Sequence, residues 1–310
     1  YKVNVEELDK IEAVTKAHIS LDVISNKENE EILMKNFGHI PNKGEFIETV
    51  MNEGCPAYVK KASVTPMEAA ELIRSAHGKA VLAHPVCYGY EDGLTEEEIL
   101  DLIKEMKEYG VTFLLAPGIN IHRNPLCGRN YEYYSEDPLL AGKLAAAISR
   151  GVQKIDGHYV TIKHFACNNQ EYSRNTSTSN VSDRALREIY LKPFKIAIKE
   201  GKSKALMTSY NLVNGIYPQE NKSLLEGYVR EECGFKGLIM TDWTSTAKKF
   251  AQTYKCVKAG NDLMMPGNSF DRKNIKKAYK KGLLTESEIR LCAARVVRSI
   301  LESNFVKENK

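Results

Sequence analysis

The stretch GLIMTDW (237–243) runs from apolar residues into a threonine, a carboxylate and the chain's only tryptophan. An aspartate at a strand–helix junction often does no more than cap the helix that follows. Other apolar runs of this chain, however, end on groups of complementary chemistry. KAVLAHP (79–85) ends at His84, YVTIKHF (159–165) carries Lys163 and His164, and ALMTSY (205–210) ends on Ser209 and Tyr210. VTFLLAPG (111–118) opens into a long loop that holds Arg129. A lone carboxylate, Asp242, in the company of Arg, Lys, His, Tyr and Trp suits a neutral polyhydroxylated ligand. Planar, fixed donors bind hydroxyl groups, and an aromatic face covers a sugar's C–H face.

The elements that must position these groups alternate along the chain. Each apolar run reads as a strand, and each is trailed by a stretch with helical spacing: 94–110, 138–153, 182–201, 221–234 and roughly 246–260. NDLMMPG (261–267) is one more short strand, in which Asp262 is expected to hold a turn and Met264 and Met265 to fill core. Two closing helices fit DRKNIKKAYKKG and TESEIRLCAARVVRSILESN, the second opening on a Thr285–Glu288 capping box. Strands that are apolar throughout and alternate with helices predict a parallel α/β sheet covered on both faces. The chain's length favours a (β/α)8-like TIM-type barrel, incomplete or hybrid, with active groups at the C-terminal strand ends. The first 75 residues read as helices, with one extended piece at CPAYVKKA (55–62). Six strands would leave open edges, which dimerisation would cover, so a homodimer is an expectation.

Composition narrows the class. The chain has 310 residues, 43% of them hydrophobic, enough for a sizeable core. No apolar run is long enough for a membrane span and the charged N-terminus is no secretory signal, so no membrane partner is expected. The seven cysteines are scattered without a CxxC, which predicts reduced thiols, no metal and a cytoplasmic setting. Residues 1–110 hold 12 Lys and Arg against 21 Asp and Glu, whereas residues 111–310 hold 32 against 19. The basic residues are spread over helices, so nucleic acid is not an expected partner. No glycine-rich phosphate loop occurs, and no cofactor is expected.

Five ordered segments carry a family resemblance: LLAPGINIHRNPLCGRNYEYYSEDP, TIKHFACNNQEYSRN, LMTSYNLVNG, GLIMTDW and AGNDLMMPG. They are similar to the catalytic barrel of glycoside hydrolase family 3, the bacterial β-glucosidase type, over roughly residues 111–304. The resemblance implies a retaining mechanism with Asp242 as nucleophile on a glucoside-like carbohydrate. It implies that Arg129, Lys163 and His164, together with Arg174 and Tyr210, hold the hydroxyls of the glycone and that Trp243 walls the same subsite. Neighbouring Arg and Lys charges would be expected to lower the Asp242 pKa.

The region from about residue 3 to 110, with KAHISLDVI and PAYVKKASVTPMEAAELIRSAHGKAVLAHP, resembles part of a PHP-type phosphoesterase, where His84 and His18 would lie near a metal cluster. The division is therefore expected at 1–110 and 111–310, as in a chimera. With no HxH pair among the seven histidines, a working metal site is not expected.

Retaining glycosidases use two carboxylates about 5–5.5 Å apart. In two-domain members of family 3 the acid comes from a second domain, whereas this sequence stops where the barrel would end. Single-domain members use an Asp–His pair after the KHF strand, and ACNNQEYSRN has no histidine. The family segment whose aspartate binds the glycone is replaced as well. Glu132, Glu136 and Glu171 are the nearby carboxylates. Because loss of a general acid costs about 10²–10⁴-fold, feeble or absent glucosidase turnover is expected, and a chimeric scaffold without catalysis is the alternative.

Overall fold

A computed structural model describes residues 1–8, 15–52, 54–58, 81–83 and 111–304, with the single residues 72, 75, 106 and 306. His84, His77 and nearly all of the helix expected over 94–110 lie outside the described residues. The chain divides into two compact units, residues 1–65 and 66–310.

The first unit is helical, as its sequence predicts. Helices Lys16–Ser25, Glu30–Phe37 and Lys43–Phe46, followed by a wide π turn, turn Val23, Leu33, Phe46, Val50 and Met51 into one small core. The second helix ends at Gly38, whose φ of 77° suits a residue without Cβ. His18 serves its own helix start, where its Nδ1 accepts the Thr15 backbone N–H at 3.2 Å. The extended piece expected at 55–62 is turn over residues 55–58, and the rest lies outside the described residues.

The second unit is an α/β fold with a parallel sheet. Its strands are β1 (Val81–Ala83), β2 (Phe113–Leu115), β3 (Tyr159–Phe165), β5 (Ala205–Thr208) and β7 (Leu238–Met240), paired in the order β1-β2-β3-β5-β7. The short strands β4 (Thr178–Ser179) and β6 (Leu212–Val213) pair with each other beside it. Leu263 adds a parallel bridge to Met240, the trace of the sixth expected strand. Each strand of the main sheet lies beside the next one in sequence, with no reversal of order. That order lacks the reversal that marks a doubly wound sheet. Eight strands and closure are not formed among the described residues.

Alternation along the strands divides the core. Leu114, Val160, Ile162, Leu206 and Ile239 enter the large cluster that also holds Ala145, Phe194, Ala197, Leu225 and Val229 from the covering helices. Leu115, Ala205, Met207, Leu238 and Met240 form the cluster of the opposite face. Helix Pro138–Val152 packs on helix Lys192–Lys199 so closely that a methyl group on Gly142 would sit 2.8 Å from Ile196 Cδ1.

Three expectations need correcting. The helix expected over 182–201 is broken into a short turn, a π segment Leu186–Tyr190 and the helix Lys192–Lys199, because Pro193 has no N–H to continue the ladder. The helix expected from 246 begins only at Thr253. Asp262 does more than hold a turn: its buried carboxylate accepts the Ile239 N–H at 2.9 Å, Arg230 at 2.6 Å and Arg295 at 3.2 Å, tying the sheet edge to two helices. The Thr285–Glu288 capping box forms as expected and starts helix Glu286–Leu301.

Candidate active site

β7 ends at Met240, and Thr241 N bonds the Leu263 carbonyl at 2.9 Å, so the residue that follows is fixed by sheet on both sides. That residue is Asp242, 7% exposed. One of its oxygens accepts the Trp243 backbone N–H at 2.7 Å. The other, Oδ2, is buried without a hydrogen bond and lies 3.7 Å from His164 Nε2.

His164 and Lys163 are consecutive in β3, so a regular strand would point them to opposite faces. The pairing register of β3 shifts between Ile162 and Phe165, and such irregularities re-aim side chains. Both end in the same cluster. Arg129 Nη2 lies 2.8 Å from His164 Nε2, and its Nε donates to Glu132. Lys163 Nζ stands 3.3 Å from the second Glu132 oxygen.

An arginine can only donate, so His164 Nε2 is the acceptor and the ring proton sits on Nδ1. That nitrogen faces the Tyr133 hydroxyl at 3.3 Å, which also accepts the Asn168 side-chain amide at 3.1 Å. Asn120 clamps the His164 main chain, donating to its carbonyl at 2.9 Å and accepting its N–H at 2.8 Å. The outer wall follows from Trp243: its carbonyl accepts the Tyr210 hydroxyl at 2.8 Å, and the Arg174 guanidinium lies 4.4 Å from the centroid of the Tyr210 ring. Arg174 in turn pairs with Glu171 at 2.7 Å.

Hydrogen bonds, ion pairs and ring contacts thus link all seven predicted residues in one region: Arg129, Lys163, His164, Arg174, Tyr210, Asp242 and Trp243. Tyr133 is buried in the loop after β2, and its hydroxyl reaches His164. Asn120 and Asn168 carried no signal in the sequence, since nothing in loop spacing says which amide will meet which backbone. The three carboxylates noted beside the site differ in circumstance. Both Glu132 oxygens face cations, Glu171 is paired, and Glu136 is exposed.

The electrostatics carry one reversal. Burial pushes the Asp242 carboxyl above the usual carboxylate range, and the Trp243 N–H, Arg129 and Lys163 only partly pull it back. The expected lowering by neighbouring cations is therefore outweighed by desolvation. Burial likewise depresses Lys163, to about 8, against the pull of Glu132 and Asp242. Burial also opposes the Arg129 charge, but Tyr133, Glu132 and Asp242 more than restore it. The result is a buried cluster in which one carboxylate oxygen without a hydrogen bond stands beside cationic side chains. Such an arrangement can bind a hydroxylated ligand and present a nucleophile to it. Among the described residues, no group of three or more His, Cys, Asp or Glu is placed to hold a metal ion.

Comparison with known proteins places these residues in a lineage. The chain is 46% identical over 205 residues to β-glucosidase B of Emericella nidulans, covering 66% of this chain and 24% of that protein. It is 48% identical over 180 residues to β-glucosidase A of Butyrivibrio fibrisolvens, 58% of this chain and 21% of that one. The solved structure of β-glucosidase 3B from Thermotoga neapolitana in complex with glucose is similar with a TM-score of 0.63 at 43% identity. It covers 66% of this chain and 29% of the other. The chain thus spans about a quarter of the length of the curated relatives it matches. The description "Glycosyl hydrolase family 3 N terminal domain" matches residues 92–299, which is more than half of the sequence and includes every residue of the cluster around Asp242. On that match, the chain belongs to glycosyl hydrolase family 3.

Proposed function

We propose that this chain is the glycone-binding, nucleophile-bearing part of a retaining β-glucosidase built on a (β/α)8-type barrel. Asp242 attacks the anomeric carbon of a glucoside. Arg129, Lys163 and His164 hold the sugar hydroxyls, Tyr210 and Arg174 shape the wall, and Trp243 covers the C–H face. The observation that carries this reading is the unbonded Asp242 Oδ2, buried 3.7 Å from His164 Nε2 within a cluster of donors. The β-glucosidase names of the relatives, and the glucose in the Thermotoga neapolitana complex, support a glucose-like ligand.

We infer further that the 310-residue chain by itself turns over glucosides feebly. Glu132 and Glu171, the carboxylates nearest the cluster, are committed to ion pairs and do not offer a proton to a leaving group. A separate origin is proposed only for the segment before residue 92, where the family match begins, and rests on the resemblance of KAHISLDVI and PAYVKKASVTPMEAAELIRSAHGKAVLAHP to a PHP-type phosphoesterase.

The decisive experiment separates the nucleophile from the acid. A 2-deoxy-2-fluoro-β-glucoside with a dinitrophenolate leaving group needs no protonation to depart. Incubation should label Asp242 covalently, as read by peptide mass spectrometry, while ordinary alkyl glucosides are hardly hydrolysed. Labelling elsewhere, or none together with no melting shift by glucose, would overturn the reading.

A further inference from the structure

The opposite end of the sheet carries a second feature that the proposed catalysis does not use. Tyr159 is the first residue of β3, Lys204 immediately precedes β5, and Gly237 immediately precedes β7. These three border a cleft of about 560 Å³, in the size range of small-molecule sites. Asp242 lies five positions beyond Gly237, so the cleft and the candidate active site stand about 16 Å apart along that strand.

The apolar part of the lining comes from the buried Ile198, Phe235 and Tyr159. The charged part is cationic: Lys202, Lys204, Lys236 and Arg298 line the cleft against a single carboxylate, Glu302. That carboxylate is already paired, 3.3 Å from Lys204 Nζ. Lys202, Lys236 and Arg298 are exposed and have no ion pair among the described residues. Three solvated cations gathered beside an apolar lining repel one another, and an anion between them relieves that repulsion.

We propose that this cleft is a binding site for a small organic anion, a phosphate or carboxylate head on a flat apolar body. The head sits among Lys202, Lys236 and Arg298, and the body lies on Phe235 and Ile198. An alternative use for two of these charges is to offset helix C-termini, since Arg298 lies in the last turn of Glu286–Leu301 and Lys202 follows Lys199. Lys236 belongs to no helix, so that explanation does not cover all three.

The test titrates the full chain by calorimetry with phenyl phosphate, inorganic phosphate and phenol. Phenyl phosphate should bind, weaken as salt is raised, and bind more tightly than either of the others. A glucose-like iminosugar should not displace it, which distinguishes this cleft from the Asp242 pocket. The combined variant Lys202→Gln, Lys236→Gln, Arg298→Gln should lose at least about tenfold in affinity, the sum of three modest exposed charge contacts. Circular dichroism of the variant checks its fold, and the wild-type titrations decide independently if it does not fold. Phenyl phosphate binding no better than phenol, insensitivity to salt, or equal affinity in a folded variant would each overturn the proposal.

Discussion

Arg129 and His164 meet at 2.8 Å between guanidinium Nη2 and imidazole Nε2, which makes the histidine the acceptor of that contact. The arginine can do this while holding Glu132 with its Nε because its donors form a rigid fork. Lysine offers a point charge that cannot keep both partners. Arg129→Lys should therefore weaken glucose-like iminosugar binding by about tenfold or more, with little loss of melting temperature. Titration of the variant by calorimetry checks this, and unchanged affinity would show that the fork is dispensable.

The hydroxyl of Tyr133 fixes the other nitrogen of the same ring. Tyr133→Phe removes the partner of His164 Nδ1 and leaves the Asn168 amide without its acceptor. The expected cost is about 1–2 kcal/mol in stability, together with a change in the His164 nitrogen chemical shifts as Nδ1–H loses its acceptor while Arg129 still holds the tautomer. Nitrogen chemical shifts of the imidazole report the tautomer directly. A stability loss without any change in those shifts would reduce Tyr133 to a packing residue.

Asp242 links function to stability through the sign of its pKa. Its folded value lies above the ordinary one, because burial disfavours the charge. Such a group contributes stability below its unfolded pKa and loses it as pH rises through the folded value. At neutral pH the buried carboxylate therefore weakens the fold. Asp242→Asn should abolish covalent labelling and raise stability by about 0.5–2 kcal/mol near pH 7, with the gain vanishing in acid. Urea unfolding at two pH values checks both signs.

Lys163 supplies the opposite limb. With its pKa brought down to about 8 by burial, its charge is lost as pH rises through that value. Glucose does not titrate there, so its affinity should fall above about pH 8 and also in acid as Asp242 protonates. In Lys163→Met the alkaline fall should disappear, leaving a lower affinity that is flat above neutral pH and still falls in acid. An alkaline fall that persists in the variant would assign it to another group.

The sheet was legible because parallel strands buried on both faces leave continuous apolar runs, and these mark β2, β3, β5 and β7 directly. The polar residues at their ends, His164 and Asp242 above all, stood out against that background. What surrounds them did not. Tyr133 and Asn120 lie in the long segment after β2, whose path is set by what it packs on and not by local propensity. The direction of the Asp242 shift was hidden for a related reason: sequence lists the neighbouring cations, but only the fold tells how much water is excluded. Asp262 looked like a turn residue because its two arginine partners, Arg230 and Arg295, are distant in sequence.

Gly142 tests the packing that holds β3 in place. A Cβ there would lie 2.8 Å from Ile196 Cδ1, 2.9 Å from Ile196 Cβ and 3.1 Å from Pro193 Cα. Alanine improves helix propensity by about 1 kcal/mol, whereas overpacking costs about 1–3 kcal/mol. The side chain of Ile196 can shift, but Pro193 Cα is backbone in a helix that itself packs on the sheet, so strain should win. Gly142→Ala is expected to destabilise by about 1 kcal/mol, and Gly142→Val by more. Ile196→Ala opens a cavity on its own, yet it should recover part of the Gly142→Ala loss when the two are combined. A double-mutant cycle by urea unfolding measures that coupling. If the two effects simply add, the contact between the helices is not what requires glycine at this position.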